Sequence, residues 1–426
     1  MAERVKTRKL LVITERFYPE QFLVNELVPQ FVQSGFDVRV LTQAPSYPKG
    51  RLYTGYSNPL FSKTQELGAT VLRVRTVLGY KQSVVKKVLN YLSFSFLASV
   101  ALMITGRTFD SVFVFQTGPL TQAVPLFLVR GAEGRRCLWT QDVWPDTVFE
   151  YGFPRTGGIA AALKALVRRI YAHTDCIAVT SPGFRDSVVR YASPRVRVIY
   201  VPQWAPKELL SASAADHPGR ALGVARADIL FRFAGSIGTM QNLDVVLRGF
   251  ARASAKDPRL MLEIIGDGSE KEKLQQLAYE LALQRVVFSG RVPMRDVMPL
   301  LRESDFLVLP LTARGTVGKT IPAKFQAYLA AARPILGILA GPVAEMIVNE
   351  GLGFVADPIS AFAVAEGFLC AAASTMDQRE EIASREKMFL SANFSRQKAI
   401  GKFLECLTVG YPLNTKGIDK LSKGES

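Results

Sequence analysis

The chain has 426 residues, 48% hydrophobic and 21% charged. That is an ordinary globular composition, but the length exceeds the roughly 250–300 residues at which single cores stop growing, so two domains or more are expected. The net charge of +16 is lopsided: residues 1–200 hold 26 Lys+Arg against 13 Asp+Glu, the remainder 27 against 24. A basic first half could meet nucleic acid, anionic lipid or a phosphorylated substrate. No nucleic-acid motif accompanies it, and the neighbouring apolar sequence favours a membrane surface.

Two histidines, His173 and His217, lie far apart and outside any motif, so neither suggests a metal site. Cys137, Cys176, Cys370 and Cys406 show no C-x-x-C spacing. This argues against a zinc site or a redox dithiol and fits a reducing compartment, the cytoplasm by default. Met1 to Lys9 is polar and basic, and the apolar run behind it stops at Glu15 and Arg16, so no secretory signal is expected. The longest apolar segment, Tyr91 to Thr105, falls short of the roughly 20 residues that span a bilayer, and it is not expected to cross one.

In chain order the pattern is strand, loop, helix, repeated. Leu10 to Thr14 reads as a buried strand, Gln21 to Ser34 as a helix stopped by Gly35, and Asp37 to Leu41 as the next strand. The loop between them, TERFYPEQF, lacks G-x-G-x-x-G, so no nicotinamide or flavin cofactor is expected. Gln43 to Gly68 reads as a long loop with interleaved tyrosines, the kind that is functional or mobile. After a strand at Thr70 to Arg75, Lys81 to Thr105 joins a basic end (Lys81, Lys86, Lys87) to an apolar, aromatic helix. That combination suits either a peripheral membrane helix or a buried helix of the first domain.

Further units follow: strand Ser111 to Phe115, a helix from Pro119, strand Cys137 to Thr140 with the loop QDVWPD, helix Ile159 to Ala172, strand Cys176 to Val179, helix Arg185 to Tyr191 and strand Val196 to Tyr200. The alternation predicts a doubly wound parallel sheet, with Glu15, Thr117, Asp142 and Ser181 on the rim at the carboxyl ends of its strands. VPQWAP closes this domain, and Ser211 to Arg226 reads as a linker. A second set starts at Ile229, with strands at Leu260 to Ile265, Val286 to Ser289, Phe306 to Leu309, Pro334 to Ile338 and Gly353 to Val355, and helices at Leu243 to Ser254, Lys271 to Leu283 and Met294 to Leu301. The last helix, Ser395 to Leu407, is placed to cross back onto the first domain.

The stretch GTVGKTIPAKFQAYLAAARPI, Gly315 to Ile335, carries the clearest chemistry. Thr320 is a good N-cap and Pro322 suits a first turn, so a helix is predicted from near Ile321. Phe325, Tyr328, Leu329 and Ala332 would face a core, leaving Lys324 in the first turn beside free backbone N–H groups. A cation there suits a phosphate, although a surface lysine on an ordinary helix fits the same letters.

The segments YPEQ, LTQAPSYPKG, QDVWPD, VPQW, AGSIGTMQNLDVVL, IIGDGSEKEKL, VPMRDVMPLL and TIPAKFQAYLAAARPIL occur in this order. Together they resemble the family 4 retaining glycosyltransferases, in particular the group that builds bacterial O-antigen, capsule and exopolysaccharide repeats, including fucosyl- and N-acetylfucosaminyl-transferases. The resemblance covers nearly the whole chain. It implies an α/β GT-B fold, two Rossmann-like doubly wound parallel-sheet domains facing a cleft. Residues 1–205, completed by a C-terminal helix within 395–426, would be the acceptor and membrane-facing domain, and residues 206–394 would bind the nucleotide-sugar.

The implied reaction moves a sugar from a UDP-sugar, alternatively a GDP-sugar, to a polyprenyl-diphosphate-linked or other saccharide acceptor. It would take place at the inner face of the plasma membrane, with anionic lipid meeting the basic domain and helix 84–105. No cofactor is expected. Gly235 and Gly238 would let backbone amides approach the diphosphate, though both glycines also fit a plain tight turn, as does Gly266. Ser236, Arg291, Lys319, Thr320, Lys324 and Gln326 complete the donor set, because a departing nucleoside diphosphate needs its growing negative charge stabilised.

Three departures from the family pattern stand out. Its two glutamates eight positions apart correspond to Lys319 and Ala327; its arginine and lysine of the phosphate loop correspond to Ser236 and Asn242; and its histidine of the first domain is replaced by Gln141 beside Asp142. The front-face attack that the resemblance implies needs no protein nucleophile, since the leaving phosphate would take the acceptor's proton, so these losses are expected to mark divergence in donor handling rather than loss of activity. Asp142 and Glu15 remain acceptor-orienting candidates, with loop capping as the other role open to Asp142. Nothing suggests DXD-type metal binding, and metal independence is expected. The rival readings are a nucleotide-sugar-binding partner without catalysis and a GT-B epimerase, the latter disfavoured by the placement of the two histidines.

Overall fold

The computed structural model describes residues 7–79, 82–150, 152–210 and 228–409. Lys81, His217, the proposed linker Ser211 to Arg226 and the tail from residue 410 to 426 lie outside the described residues. The chain divides into two units, one holding residues up to Thr180, Phe184–Val201 and the chain from Gln397, the other Ser181–Gly183 and Pro202–Arg396.

The first unit is built on strands β1 (Arg8–Ile13), β2 (Phe36–Gln43), β3 (Phe61–Glu66), β4 (Ala69–Val74), β5 (Ser111–Gln116), β6 (Arg136–Thr140), β7 (Cys176–Val179) and β8 (Arg197–Tyr200). Their order is β3-β4-β2-β1-β5-β6-β7-β8. The helices are α1 (Val24–Gln33), α2 (Val84–Thr105), α3 (Asp146–Glu150), α4 (Gly158–Ala172) and α5 (Arg185–Val189). Central strands such as RKLLVI and SVFVFQ read as apolar runs because helices cover both faces of a parallel sheet.

Two expectations change here. The long loop contains β3, which pairs antiparallel with β4 at the sheet edge. Its sequence FSKTQE is mostly solvent-facing, so no apolar period announces it. The helix expected from Pro119 is a 3-10 run, Leu120–Leu128, because Pro125 within it cannot donate to an α-helical ladder.

Helix α2 has 22 residues and is long and apolar enough, by length and composition, to cross a bilayer, which the shorter apolar count in the sequence did not anticipate. One face, Phe94, Ala98, Ala101 and Leu102, belongs to the core of the first unit. Asn90 is anchored on the same side by donating its amide to the Val77 carbonyl at 2.8 Å.

The second unit holds α6 (Lys207–Leu210) and a parallel sheet of β9 (Ile229–Ala234), β10 (Leu260–Ile265), β11 (Val286–Gly290), β12 (Phe306–Pro310), β13 (Ile335–Ile338) and β14 (Gly353–Ala356), ordered β11-β10-β9-β12-β13-β14. It is covered by α7 (Leu243–Lys256), α8 (Lys271–Glu280), α9 (Met294–Arg302), α10 (Ala323–Ala331), α11 (Pro342–Asn349), α12 (Ala361–Ala372) and α13 (Met376–Asn393). Helices α6, α11, α12 and α13 are additions to the sequence reading. Phe231 stacks on Phe306 at 4.8 Å and meets Phe368 edge-on, tying α12 to the sheet. The last helix, α14 (Arg396–Leu407), returns to the first unit, where Phe403 packs on Phe113 and Trp139 and the Leu407 carbonyl accepts from Ser111.

Candidate functional site

In a doubly wound sheet ligands sit where the strand order reverses, beyond the carboxyl ends of the strands. In the second unit that point lies between β9 and β12. Gly235 leaves β9 with φ +153, and its amide bonds the Ile265 carbonyl at 2.9 Å. The neighbouring turn at Gly266 runs so close that a Cβ there would lie 1.8 Å from the Gly235 oxygen. Gly266 is therefore required for turn-on-turn packing, which is sufficient reason for the glycine without any ligand.

Lys324 points into this place. Its Nζ is sealed from solvent without a hydrogen-bond partner, 4.1 Å from the centre of the Phe233 ring and 2.8 Å from where a Gly235 side chain would begin. Burial pushes its pKa down to about 7. Tyr328, one turn on, receives the Ala234 amide on its hydroxyl at 2.9 Å and so pins the end of β9 to α10.

The start of α10 differs from expectation. Pro322 is the N-cap and Ala323 the first helical residue, while the Thr320 hydroxyl donates to the Val317 carbonyl at 2.8 Å and caps nothing. Thr320 instead ends a 3-10 turn, Val317–Lys319, whose own geometry uses up its side chain. Gln326 is buried, and with its amide turned to satisfy its surroundings its nitrogen donates to the Pro322 and Ala323 carbonyls. It is thus engaged with its own helix. Ser236, Lys319 and Arg291 are exposed, and Gly238 donates its amide to the Gln241 side-chain oxygen at 3.1 Å. Ser181, read as part of the first rim, donates to the Lys319 carbonyl and groups with the second unit.

In the first unit the order reverses between β1 and β5, and a cavity of about 380 Å³ opens there, lined by Glu15, Arg16, Phe22, Tyr47, Lys87, Tyr91, Thr117 and Gly118. Glu15 follows β1 and is fully buried. Its amide donates to Gln122 at 3.1 Å, one carboxyl oxygen lies 3.1 Å from where a Gly118 side chain would start, and the other has no partner. Burial raises its pKa to about 7, with Glu20 adding and Arg16 opposing. Glu20 receives the Ser46 and Tyr47 amides, both at 2.6 Å, and thereby fixes Tyr47 on the cavity wall.

Asp142 sits beyond β6. Its carbonyl accepts from Thr140 at 2.6 Å and from Gln116 at 3.4 Å, which holds the loop. Burial raises its carboxyl to about 6 against the pull of Lys87. Lys87 thus links the cavity to Asp142. Arg16, Tyr47 and Tyr91 were not singled out as site residues in the sequence; the mixed basic and aromatic letters around them were the available signal.

Among the described residues the candidate metal ligands that converge are Cys137, Cys176 and Cys406, with sulfurs within 4.8 Å of one another. Their scattered positions in the sequence concealed this convergence, which the absence of C-x-x-C spacing does not register. His173 is structural, its Nδ1 against the Arg169 carbonyl and its ring on Phe127.

Residues 23–204 match the model of a glycosyl transferase 4-like domain, and residues 220–387 that of glycosyl transferases group 1. The chain is 24% identical over 335 residues to WcaI of Escherichia coli K12, a protein named for colanic acid biosynthesis, covering 76% of this chain and 81% of that one. It is 24% identical over 318 residues to WbjE of Pseudomonas aeruginosa, named as a glycosyltransferase, covering 74% and 78%. Among solved structures, HepE of Anabaena, in complex with UDP and glucose, aligns with a TM-score of 0.67 at 13% identity over 94% of this chain and all of that one. Two successive domain models that together span most of the chain, on a fold of two Rossmann-like units, place it in one group: the chain belongs to the family 4 glycosyltransferases of GT-B fold.

Proposed function

We propose that this glycosyltransferase transfers a sugar, with retention, from a UDP-sugar to a lipid-diphosphate-linked saccharide during synthesis of a bacterial surface polysaccharide. The relative named for colanic acid biosynthesis and the neighbour that holds UDP support the polysaccharide and the nucleotide in this reading. The observation that carries the donor assignment is the sealed, partnerless ammonium of Lys324 beside the Gly235 turn. A cation in that position meets the diphosphate of a donor and stabilises it as the sugar departs. Lys319, in the turn before α10, and Arg291, just after β11, add exposed positive charge.

The acceptor goes to the first-unit cavity, where Arg16 and Lys87 favour an anionic group and Glu15 and Asp142 orient the attacking hydroxyl. The leaving phosphate takes the hydroxyl proton, so no protein nucleophile is needed. The exposed apolar side of α2 would lie on the inner membrane surface and deliver the lipid.

A thermal-shift panel of nucleotides and nucleotide-sugars tests the donor: a ligand at about 100 times its Kd adds roughly 2.7 kcal/mol. UDP compounds are expected to stabilise, with nucleotide released when a polyprenyl-diphosphate saccharide is added. Binding without release under any acceptor would favour the non-catalytic reading that the residues Lys319 and Ala327 first raised. A larger shift with GDP compounds would move the donor to that base. Turnover is expected to survive chelation; activity lost to a chelator and restored by magnesium would overturn metal independence.

A further inference from the structure

The donor and acceptor sites leave one chemically loaded feature unused. Cys137 on β6 and Cys176 on β7 are register partners on adjacent parallel strands, so their side chains emerge on the same face of the sheet. Helix α14 lays Cys406 over them. The Cys176 and Cys406 sulfurs are 3.0 Å apart, and all three residues are buried. The Arg197 guanidinium donates to the Cys406 sulfur at 2.9 Å while its other arm reaches Glu405 at 3.1 Å.

Arg197 and Glu405 are each about half exposed or more, at 46% and 62%, so the sulfur lies directly beneath a wet ion pair. A cation-paired sulfur under thin cover, with a second sulfur at contact distance, has the parts of an oxidisable pair: a nucleophilic thiolate and a resolving thiol.

We infer that Cys406 and Cys176 form a peroxide-sensitive thiol pair that closes to a disulfide, with Arg197 as the activating cation. Cys406 sulfur attacks a peroxide oxygen; the S–O bond forms, the O–O bond breaks, and hydroxide or alkoxide leaves with a solvent proton. Cys176 sulfur then attacks Cys406; the S–S bond forms, the S–O bond breaks, and water leaves with the Cys176 proton. Two electrons pass from the two sulfurs to the peroxide, and Cys137 stays reduced. The bridge fastens α14 to the sheet and closes a loop of 230 residues that contains, in sequence, all of the second unit.

The full chain, with exposed Cys370 replaced by Ser, is treated with hydrogen peroxide and run on non-reducing gels. The expected result is a faster-migrating monomer, reversed by dithiothreitol, whose peptide map links Cys176 to Cys406. Arg197→Ala should slow its formation about tenfold. Cys406→Ser and, separately, Cys176→Ser should abolish the fast band, each checked for a native circular dichroism spectrum so that misfolding is recognised. Full thiol titration after peroxide would overturn the inference. So would a map that links Cys137, or native mass spectrometry showing a bound cation whose removal is required before the thiols react.

Discussion

In the proposed reading, Lys324 concentrates the donor chemistry in one side chain. Its ammonium is desolvated without a hydrogen-bond partner, so the free protein holds it at a pKa of about 7, well under that of an exposed lysine. A bound diphosphate would restore the charged form. Donor binding above pH 7 is therefore expected to take up a proton, measurable by calorimetry in buffers of different ionisation heat, and donor affinity should fall as pH rises. Because the unfolded chain binds this proton more tightly, stability should climb between about pH 7 and 10.5. Lys324→Met should flatten that rise in urea melts and cut turnover by about 10²-fold or more; unchanged turnover would show the centre was misplaced. Glu15 works in the opposite sense. Its pKa of about 7 against a reference of 4.5 means the folded state holds the proton more tightly, so its contribution is present below about pH 4.5 and is lost as pH rises towards 7. Glu15→Gln is expected to raise stability at pH 8 while weakening acceptor use; a variant that melts lower at pH 8 would contradict the buried, unpaired carboxylate.

At the scale of an element, α2 has two unlike long faces. Asn90, Phe94, Ala98 and Leu102, four residues apart, turn inward, while Val85, Leu89, Leu92 and Phe96 are exposed, with Lys86 and Lys87 at the same end. An apolar stripe ending in cations suits the boundary of an anionic bilayer. Replacing Leu89, Leu92 and Phe96 with Ser should reduce sedimentation with vesicles containing anionic lipid, with thermal stability changing little because these side chains leave the core untouched. Equal sedimentation would sink the membrane role of this helix. The periodic letters located α2, but its membrane and core readings could be told apart only residue by residue, once the sheet showed which side was already covered. Strand β3 was hidden for the converse reason, since an edge strand exposed to water needs no apolar period.

For the whole molecule, the two units each place their candidate site at a reversal of strand order, so each ligand should protect its own unit. UDP is expected to slow amide exchange around Gly235–Ile237, Gly266–Gly268 and the start of α10, leaving the turns after β1 and β5 unchanged. Protection at Glu15 and Thr117 instead would assign the nucleotide to the wrong unit. The βα alternation, the family motifs and the basic first half were legible because they depend on local periodicity and composition.

The letters by themselves determined the doubly wound architecture and the family, since buried strands, helix starts and glycine turns are encoded within a few residues of one another. The tertiary structure alone decided that Glu15 meets Gly118, that the Lys324 ammonium folds back over Phe233, that Thr320 spends its hydroxyl on its own turn, and that Cys137, Cys176 and Cys406 converge. Each of these joins or orients groups through packing between distant segments or the path of a single turn, and sequence spacing carries no record of either.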